Sequence, residues 1–334
     1  MQTFEWVDAA SVQHAAQLLA ANTPDRPVVA KAGGIDLLDL MKEGVVRPVR
    51  VVNLKTIGGL GRIDVADDGT VSLGALVTLA QLEASHAIRL RLPALAEAAW
   101  HAATPQVRNA ATIGGNLLQR PRCWYFRNAY FHQNDADVND AALNGENQYH
   151  AIFGNERSAM VHASTPATPL IAYGAEVNMT NEDGAIRSVA LQDFLLAPDA
   201  ARDRDAAIEP GEVLTRVRIP APSPGTRSAY HKQTERESYD WPICDVAVVL
   251  EMKSEIVQEV RIVLGWVAPT PRRAIQSENI LRGQKVTDAL ARDAARASVA
   301  GATPLSKNAY KVPVLQTVVC RTILAAATAT GFDQ

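Results

Sequence analysis

The stretch Thr104–Arg127, TPQVRNAATIGGNLLQRPRCWYFR, holds two adjacent glycines, Gly114 and Gly115, behind Thr112 and ahead of Asn116. Glycine lets a backbone take positive φ and lets another surface come close. Successive backbone N–H groups in such a turn form a concave anion site. Thr112 and Asn116 can add side-chain hydrogen bonds. A second stretch, Ala30–Leu37 (AKAGGIDL), repeats the recipe: Gly33 and Gly34 follow an apolar run and precede Asp36. A glycine turn where a strand enters a helix is well placed to receive phosphate at the helix N-terminus. Two such loops, distant in the chain, predict one diphosphate-containing cofactor held between them.

Outward from these loops, the first fifty-five residues read as strand, helix, strand, short helix, strand. The strands are Phe4–Val7, Pro27–Ala30 and Val49–Leu54; the helices are Ser11–Ala21 and Asp36–Glu43. This pattern predicts a small α/β unit with some parallel pairing. From Ile57 onward the signals change to hairpins around Asp67-Asp68-Gly69 and Glu182-Asp183-Gly184. Helices are expected over Thr78–Ala84, Pro93–Ala103 and Pro166–Tyr173, and a strand over Val213–Ile219. Residues 128–150 are polar and read as an inserted surface loop, since ordinary connections are shorter. Asp199–Glu209 is charged and reads as loop. Pro220–Gly225 (PAPSPG) is the clearest linker. Beyond it lie strands at Ala229–Gln233, Ile243–Met252 and Val257–Val267, then helices near Arg273–Leu281, Thr287–Ala300 and Val312–Ala327. The expected fold class is α+β. A two-part binding domain (1–55 and 56–222, with the polar insertion near 128–150) precedes a three-strand, three-helix unit (225–334).

The chain has 334 residues, 47% hydrophobic and 21% charged, with a net charge of −3. That balance gives no electrostatic reason to expect nucleic acid or an anionic membrane. No apolar run reaches the length of a membrane helix. The start, MQTFEWVDAASVQ, does not read as a signal peptide. Cys123, Cys244 and Cys320 are widely spaced and odd in number, which argues against a disulfide framework and against a paired-cysteine zinc site. A reduced, cytoplasmic chain is expected. His101, His132, His150 and His162 lack ligand spacing, so no metal is expected. Ser164 has no convincing His and Asp pattern around it. Arg120, Arg122 and Arg127 with Trp124, Tyr125 and Phe126 could suggest nucleic-acid stacking. A buried, ordered loop at a subunit contact suits the acidic net charge better.

With these residues in view, the chain resembles the FAD-binding (medium) subunit of the molybdenum hydroxylase, or xanthine dehydrogenase, family. AKAGGIDLL, QVRNAATIGGNL, GEVLTRVRIP and YHKQTERESYDWPICDVAVV carry the resemblance, in family order and over nearly the whole chain. QRPRCWYFR and NQYHAIFG resemble the FAD subunits of bacterial aldehyde oxidoreductases within that family. The resemblance implies FAD held between two α+β subdomains. It also implies a molybdopterin-binding large subunit that oxidises the substrate and a small subunit whose [2Fe–2S] clusters feed the flavin. Ala32, Gly33, Gly34, Ile35, Asp36 and Leu37 would wrap the pyrophosphate and ribityl region. Ala103, Thr104, Thr112, Gly115 and Asn116 would line the other side. Leu214 would pack near the flavin, and Lys232 near its pyrimidine edge, where a cation favours the anionic reduced form.

Two departures from the family pattern stand out. Aldehyde oxidoreductase relatives carry extra cysteines around the inserted loop for a [4Fe–4S] cluster, which needs four thiolates. This chain has Cys123 and then no cysteine from Trp124 to Gly174, so no iron–sulfur cluster of its own is expected. Thr165 stands where the family usually has aspartate after His-x-Ser; it can hydrogen bond but brings no charge. Two rivals remain beside an electron-transfer subunit: a self-sufficient flavin oxidase, and an assembly protein with a redox-silent FAD site. A folded complex could also leave the cytoplasm on a partner's twin-arginine signal.

Overall fold

The computed structural model describes residues 1–133, 137–197 and 204–332. Strand β1 (Glu5–Asp8), helix α1 (Val12–Ala20), β2 (Val28–Lys31), α2 (Ile35–Lys42) and β3 (Arg50–Asn53) form the opening unit. Its three strands lie in the order β1-β3-β2, both pairings parallel. Ser11 caps α1 by accepting from the His14 N–H. The face of α1 carrying Ala15, Ala16 and Leu19 is buried with Val28 and Val52. That stripe at helical spacing makes the strand–helix–strand crossover possible.

Next come β4 (Ile63–Val65) and β5 (Val71–Gly74), then α3 (Leu79–Ala84), α4 (His86–Arg91), α5 (Pro93–Trp100), α6 (Pro105–Ala110), α7 (Ile113–Leu117), α8 (Ala129–Gln133), α9 (Val138–Asn144) and α10 (Ala167–Ala172). Strands β6 (Glu176–Thr180) and β7 (Ile186–Ala190), the short α11 (Leu191–Phe194) and β8 (Val213–Ile219) complete a five-stranded antiparallel sheet, ordered β4-β5-β8-β6-β7. The last part has β9 (Thr226–Gln233), β10 (Cys244–Lys253), β11 (Ile256–Gly265) and β12 (Arg272–Arg273), antiparallel in the order β12-β11-β10-β9. Helices α12 (Ile275–Leu281), α13 (Asp288–Ser298) and α14 (Lys311–Thr328) follow.

Residues 244–250 of β10, CDVAVVL, are buried without interruption. One face (Ala247, Val249) joins the core under the five-stranded sheet. The other (Val246, Val248, Leu250) joins the core of the C-terminal helices. A strand covered on both sides needs no alternation, so the sequence shows only an apolar run.

Several expectations need correction. Helices α4, α6, α7 and α11 span four to six residues each, too short for a 3.6-residue period to show. The run expected as a helix to Ala103 ends at Trp100, and β9 starts at Thr226, directly after the linker signal and three residues before the strand expected at Ala229. The polar insertion, read as loop, carries helices α8 and α9 among its described residues. Asp137 caps α9 by accepting from the Asn139 and Asp140 N–H groups, and Ala142 is buried. Beyond α9 the chain is bound to the start of α14. Lys311 is wholly buried, and its ammonium donates to the carbonyls of Tyr149 (3.1 Å), His150 (3.0 Å) and Trp266 (2.7 Å). Residues 199–203 of the charged stretch lie outside the described residues.

Candidate functional site

Gly33-Gly34 and Gly114-Gly115, eighty residues apart in the chain, meet in space. A Cβ at Gly33 would lie 2.0 Å from the Ala110 carbonyl oxygen, one at Gly115 would lie 4.0 Å from the Ala32 Cβ, and Gly34 takes φ +80°. The bends border one cavity of about 590 Å³. Ala32, Gly33, Gly34, Ile35, Asp36 and Leu37 form one wall; Ala103, Thr104, Thr112, Gly115 and Asn116 form another. Thr165, Leu214 and Lys232 complete the set, so every residue expected to contact the cofactor borders the same space.

The two bends are built differently. Gly34 is the N-cap of α2 and no side chain caps that helix. The start of α2 therefore presents uncompensated backbone N–H groups and the positive end of its dipole. In α7 the N–H groups are already used. Gly115 N–H donates to Thr112 Oγ1 (3.2 Å) and Gly114 N–H to the Ala75 carbonyl (2.9 Å). A Cβ at Gly114 would stand 2.9 Å from Ala75 and 3.0 Å from Leu214. The second pair thus brings α7 tight against the end of β5 and does not form the open anion turn expected from sequence. Thr104 is likewise a cap, accepting from the Val107 N–H, and Ala103 sits at φ +52°, a strained region for a residue with a Cβ.

Asp36 does not point its charge into the cavity unopposed. Its carboxylate accepts from the Arg120 N–H (3.0 Å) and from Arg127 (2.6 Å), and pairs with Arg122 (2.9 Å). This ties α2 to the segment after α7 and neutralises an anion that would repel phosphate. Lys232 Nζ donates to the His101 carbonyl (2.8 Å), and burial lowers its pKa. Asn116 Oδ1 accepts from Ser164 Oγ (2.6 Å), and Ser164 N–H donates to His162 Nδ1 (3.3 Å). His162 Nε2–H then donates to the Leu117 carbonyl (3.2 Å). Burial pushes this imidazole down to about 4, so it is neutral, and the Ser164 hydroxyl is committed to Asn116.

Sequence reasoning missed part of the wall: Arg120, Arg122, Tyr239 and Trp241 also face the cavity. Trp241 stacks on Trp266 at 5.5 Å with the Arg122 guanidinium 4.8 Å from its ring. The signal was the polar-aromatic run ERESYDWP between β9 and β10, which carries no glycine pattern. A smaller cavity of about 300 Å³ adjoins at Arg122, Asp240 and Trp241, with Cys123 and His150 3.2 Å apart on its lining. Among the described residues no three His, Cys, Asp or Glu side chains are grouped to hold a metal ion.

An uncapped helix start, a glycine approach no larger residue could share and a cavity of about 590 Å³ bordered by both bends suit an extended diphosphate-bearing cofactor. They define a dinucleotide-binding α+β protein. A family model described as the FAD binding domain in molybdopterin dehydrogenase matches residues 2–222. A second, the CO dehydrogenase flavoprotein C-terminal domain, matches residues 229–326. The chain belongs to the FAD-binding subunits of the molybdenum hydroxylase family. It is 32% identical over 302 residues to the aldehyde oxidoreductase FAD-binding subunit PaoB of Escherichia coli strain K12, covering 89% of this chain and 90% of that one. It is 30% identical over 301 residues to the carbon monoxide dehydrogenase medium chain of Hydrogenophaga pseudoflava, covering 90% and 88%. A solved structure of carbon monoxide dehydrogenase from that organism, lacking the Mo-pyranopterin moiety, superposes with a TM-score of 0.76 at 29% identity, covering 97% of each chain.

Proposed function

We propose that this chain is the electron-transferring subunit of a heteromeric molybdenum hydroxylase. It takes electrons from the [2Fe–2S] clusters of a small partner subunit and delivers them to an acceptor, while a large molybdopterin-binding partner oxidises the organic substrate. The observation that carries this reading is the single cavity bordered by both glycine bends. Bound FAD would supply the two-electron chemistry. The chain's own residues supply position and field. The start of α2 faces the diphosphate with its N–H groups, and Gly33 lets the Ala32–Leu37 segment close on the second bend. Arg122 and Arg127 offset Asp36 and Asp39, while the Arg120 guanidinium pairs with Asp205. Leu214 offers an apolar surface for a ring, and Lys232 a cation at the wall. We assign the iron–sulfur clusters to partners, because this chain's cysteines fall short of the four thiolates one cluster needs. We place the complex in the cytoplasm; among the described residues no helix is long and apolar enough to cross a membrane.

Purified alone, the chain should carry FAD with a simple flavin spectrum. That flavin should stay oxidised when an aldehyde is added and be reduced once the molybdopterin and [2Fe–2S] subunits are restored. Reduction by organic substrate without partners would mark a self-sufficient oxidase. Failure to take up FAD on reconstitution would mark an assembly protein.

A further inference from the structure

Behind the cavity wall lies a carboxylate that the binding motifs do not use. Asp245 on β10 is wholly buried. It stands opposite Lys232 on β9 and opposite Gly265 on β11, so the three share one face of the sheet. Its Oδ1 accepts from Thr168 Oγ1 of α10 (2.8 Å) and its Oδ2 from the Tyr230 hydroxyl (2.8 Å). Room for the carboxylate exists because residue 265 is glycine: a Cβ there would sit 1.9 Å from Asp245 Oδ1 and 2.4 Å from Thr168 Oγ1.

Two neutral hydroxyls and the Gly265 N–H hold this carboxylate, and the cation facing it across the strands is Lys232. A buried anion costs free energy unless a positive charge or strong donors compensate it. Lys232 has the complementary problem. Half-buried, its ammonium is favoured chiefly by Asp245 and then by Asp240. It donates to the His101 carbonyl at the C-cap of α5, the negative end of that helix. Two residues further on is Ala103, strained at φ +52°, and then Thr104, both on the cavity wall. The other titratable groups near the pair are Tyr230, Glu97 and His101 on or beside α5 and β9, Asp240 in the following loop, and Cys244 next in the chain.

We propose that Asp245 is a positioning residue for the flavin cavity: held by Thr168 and Tyr230, it keeps the Lys232 ammonium charged and clamped on the His101 carbonyl, and so sets the Ala103–Thr104 lip. This rests on the reading that the cavity takes FAD.

The test is a double-mutant cycle on the full chain at alkaline pH, reading the midpoint potential of the bound flavin and the affinity of the stripped protein for FAD. Removing an anion beside a flavin would by itself raise the potential. If Asp245 acts through Lys232, Asp245→Asn instead lowers it, in the direction of Lys232→Met, and weakens FAD binding roughly tenfold. In the Lys232→Met background Asp245→Asn should then no longer lower the potential, leaving at most the rise from the lost anion, and should weaken FAD binding no further. A raised or unchanged potential in Asp245→Asn alone, or losses that multiply in the double variant, overturns the proposal. Should Asp245→Asn fail to fold, Thr168→Val removes one hydroxyl from the carboxylate; a smaller lowering that disappears in the Lys232→Met background supports the proposal, and no lowering refutes it. A wild-type chain that binds no FAD would instead sink the functional reading on which this rests.

Discussion

Gly33-Gly34 opens a helix that no side chain caps, whereas Gly114-Gly115 lies inside a helix that Thr112 caps. The first pair leaves donors facing the cavity; the second has its N–H groups bonded to Thr112 and Ala75. Identical dipeptides therefore divide the work. One offers hydrogen bonds and a dipole, and the other removes bulk so that α7 can lie against β5 and Leu214. A glycine pair in a sequence shows that a backbone is approached closely, and leaves open whether the approaching group is a ligand or the protein itself.

If the difference is real, the two sides should fail under different stresses. The largest effect should be acid sensitivity carried by the second side. His162 holds the end of α7 through Leu117, and burial lowers its pKa from 6.5 to about 4. A depressed folded-state value means that its contribution is complete above pH 6.5 and is lost as pH falls through 4, about 3 kcal/mol in all. Denaturant midpoints followed from pH 7 to 4 should show the loss, and His162→Gln should flatten the profile by that amount. An unchanged slope would mean that α7 does not depend on the neutral ring. His150, also lowered to about 4, titrates in the same window and is the control for the remainder.

A second break targets the contact between the bends. Gly33→Ala drives a methyl into the Ala110 carbonyl, and overpacking of this kind costs about 2 kcal/mol. Retained FAD should fall by roughly tenfold or more, and wild-type retention would show that the bends part without harm. The smallest effect should come from Thr112→Val, which removes the cap on Gly115 and costs about 1 kcal/mol of stability. If the Thr112 hydroxyl acts chiefly as the cap of α7, thermal melting should drop while FAD affinity stays nearly level. A selective loss of affinity would give the second pair the same role as the first.

Most of the strands were legible because alternation and turn residues such as Asp67-Asp68-Gly69 are local signals. The cavity wall at Ala30–Leu37 was legible because a glycine pair, a strand and a helix start stand together within those eight residues. Helices α6 and α7 were not, since six and five residues cannot display a period, and the glycines inside α7 argue against a helix until Thr112 and Ala75 are seen to hold them. Trp241 and Arg122 entered the cavity through a stacking contact between segments more than a hundred residues apart. The fold of 137–151 was invisible for the same reason: its partners, Ser306, Asn308 and Lys311, lie far downstream.

Lys311 gives that last contact a temporal side. The carbonyls of Tyr149 and His150 converge with that of Trp266 on an ammonium that lies 162 and 161 residues downstream of the first two. During synthesis they wait without it until α14 leaves the ribosome. Helix α14 thus acts as a latch for a region translated much earlier, and a chain cut before it should leave residues 147–151 unfastened even though every residue lining the cavity has already been made.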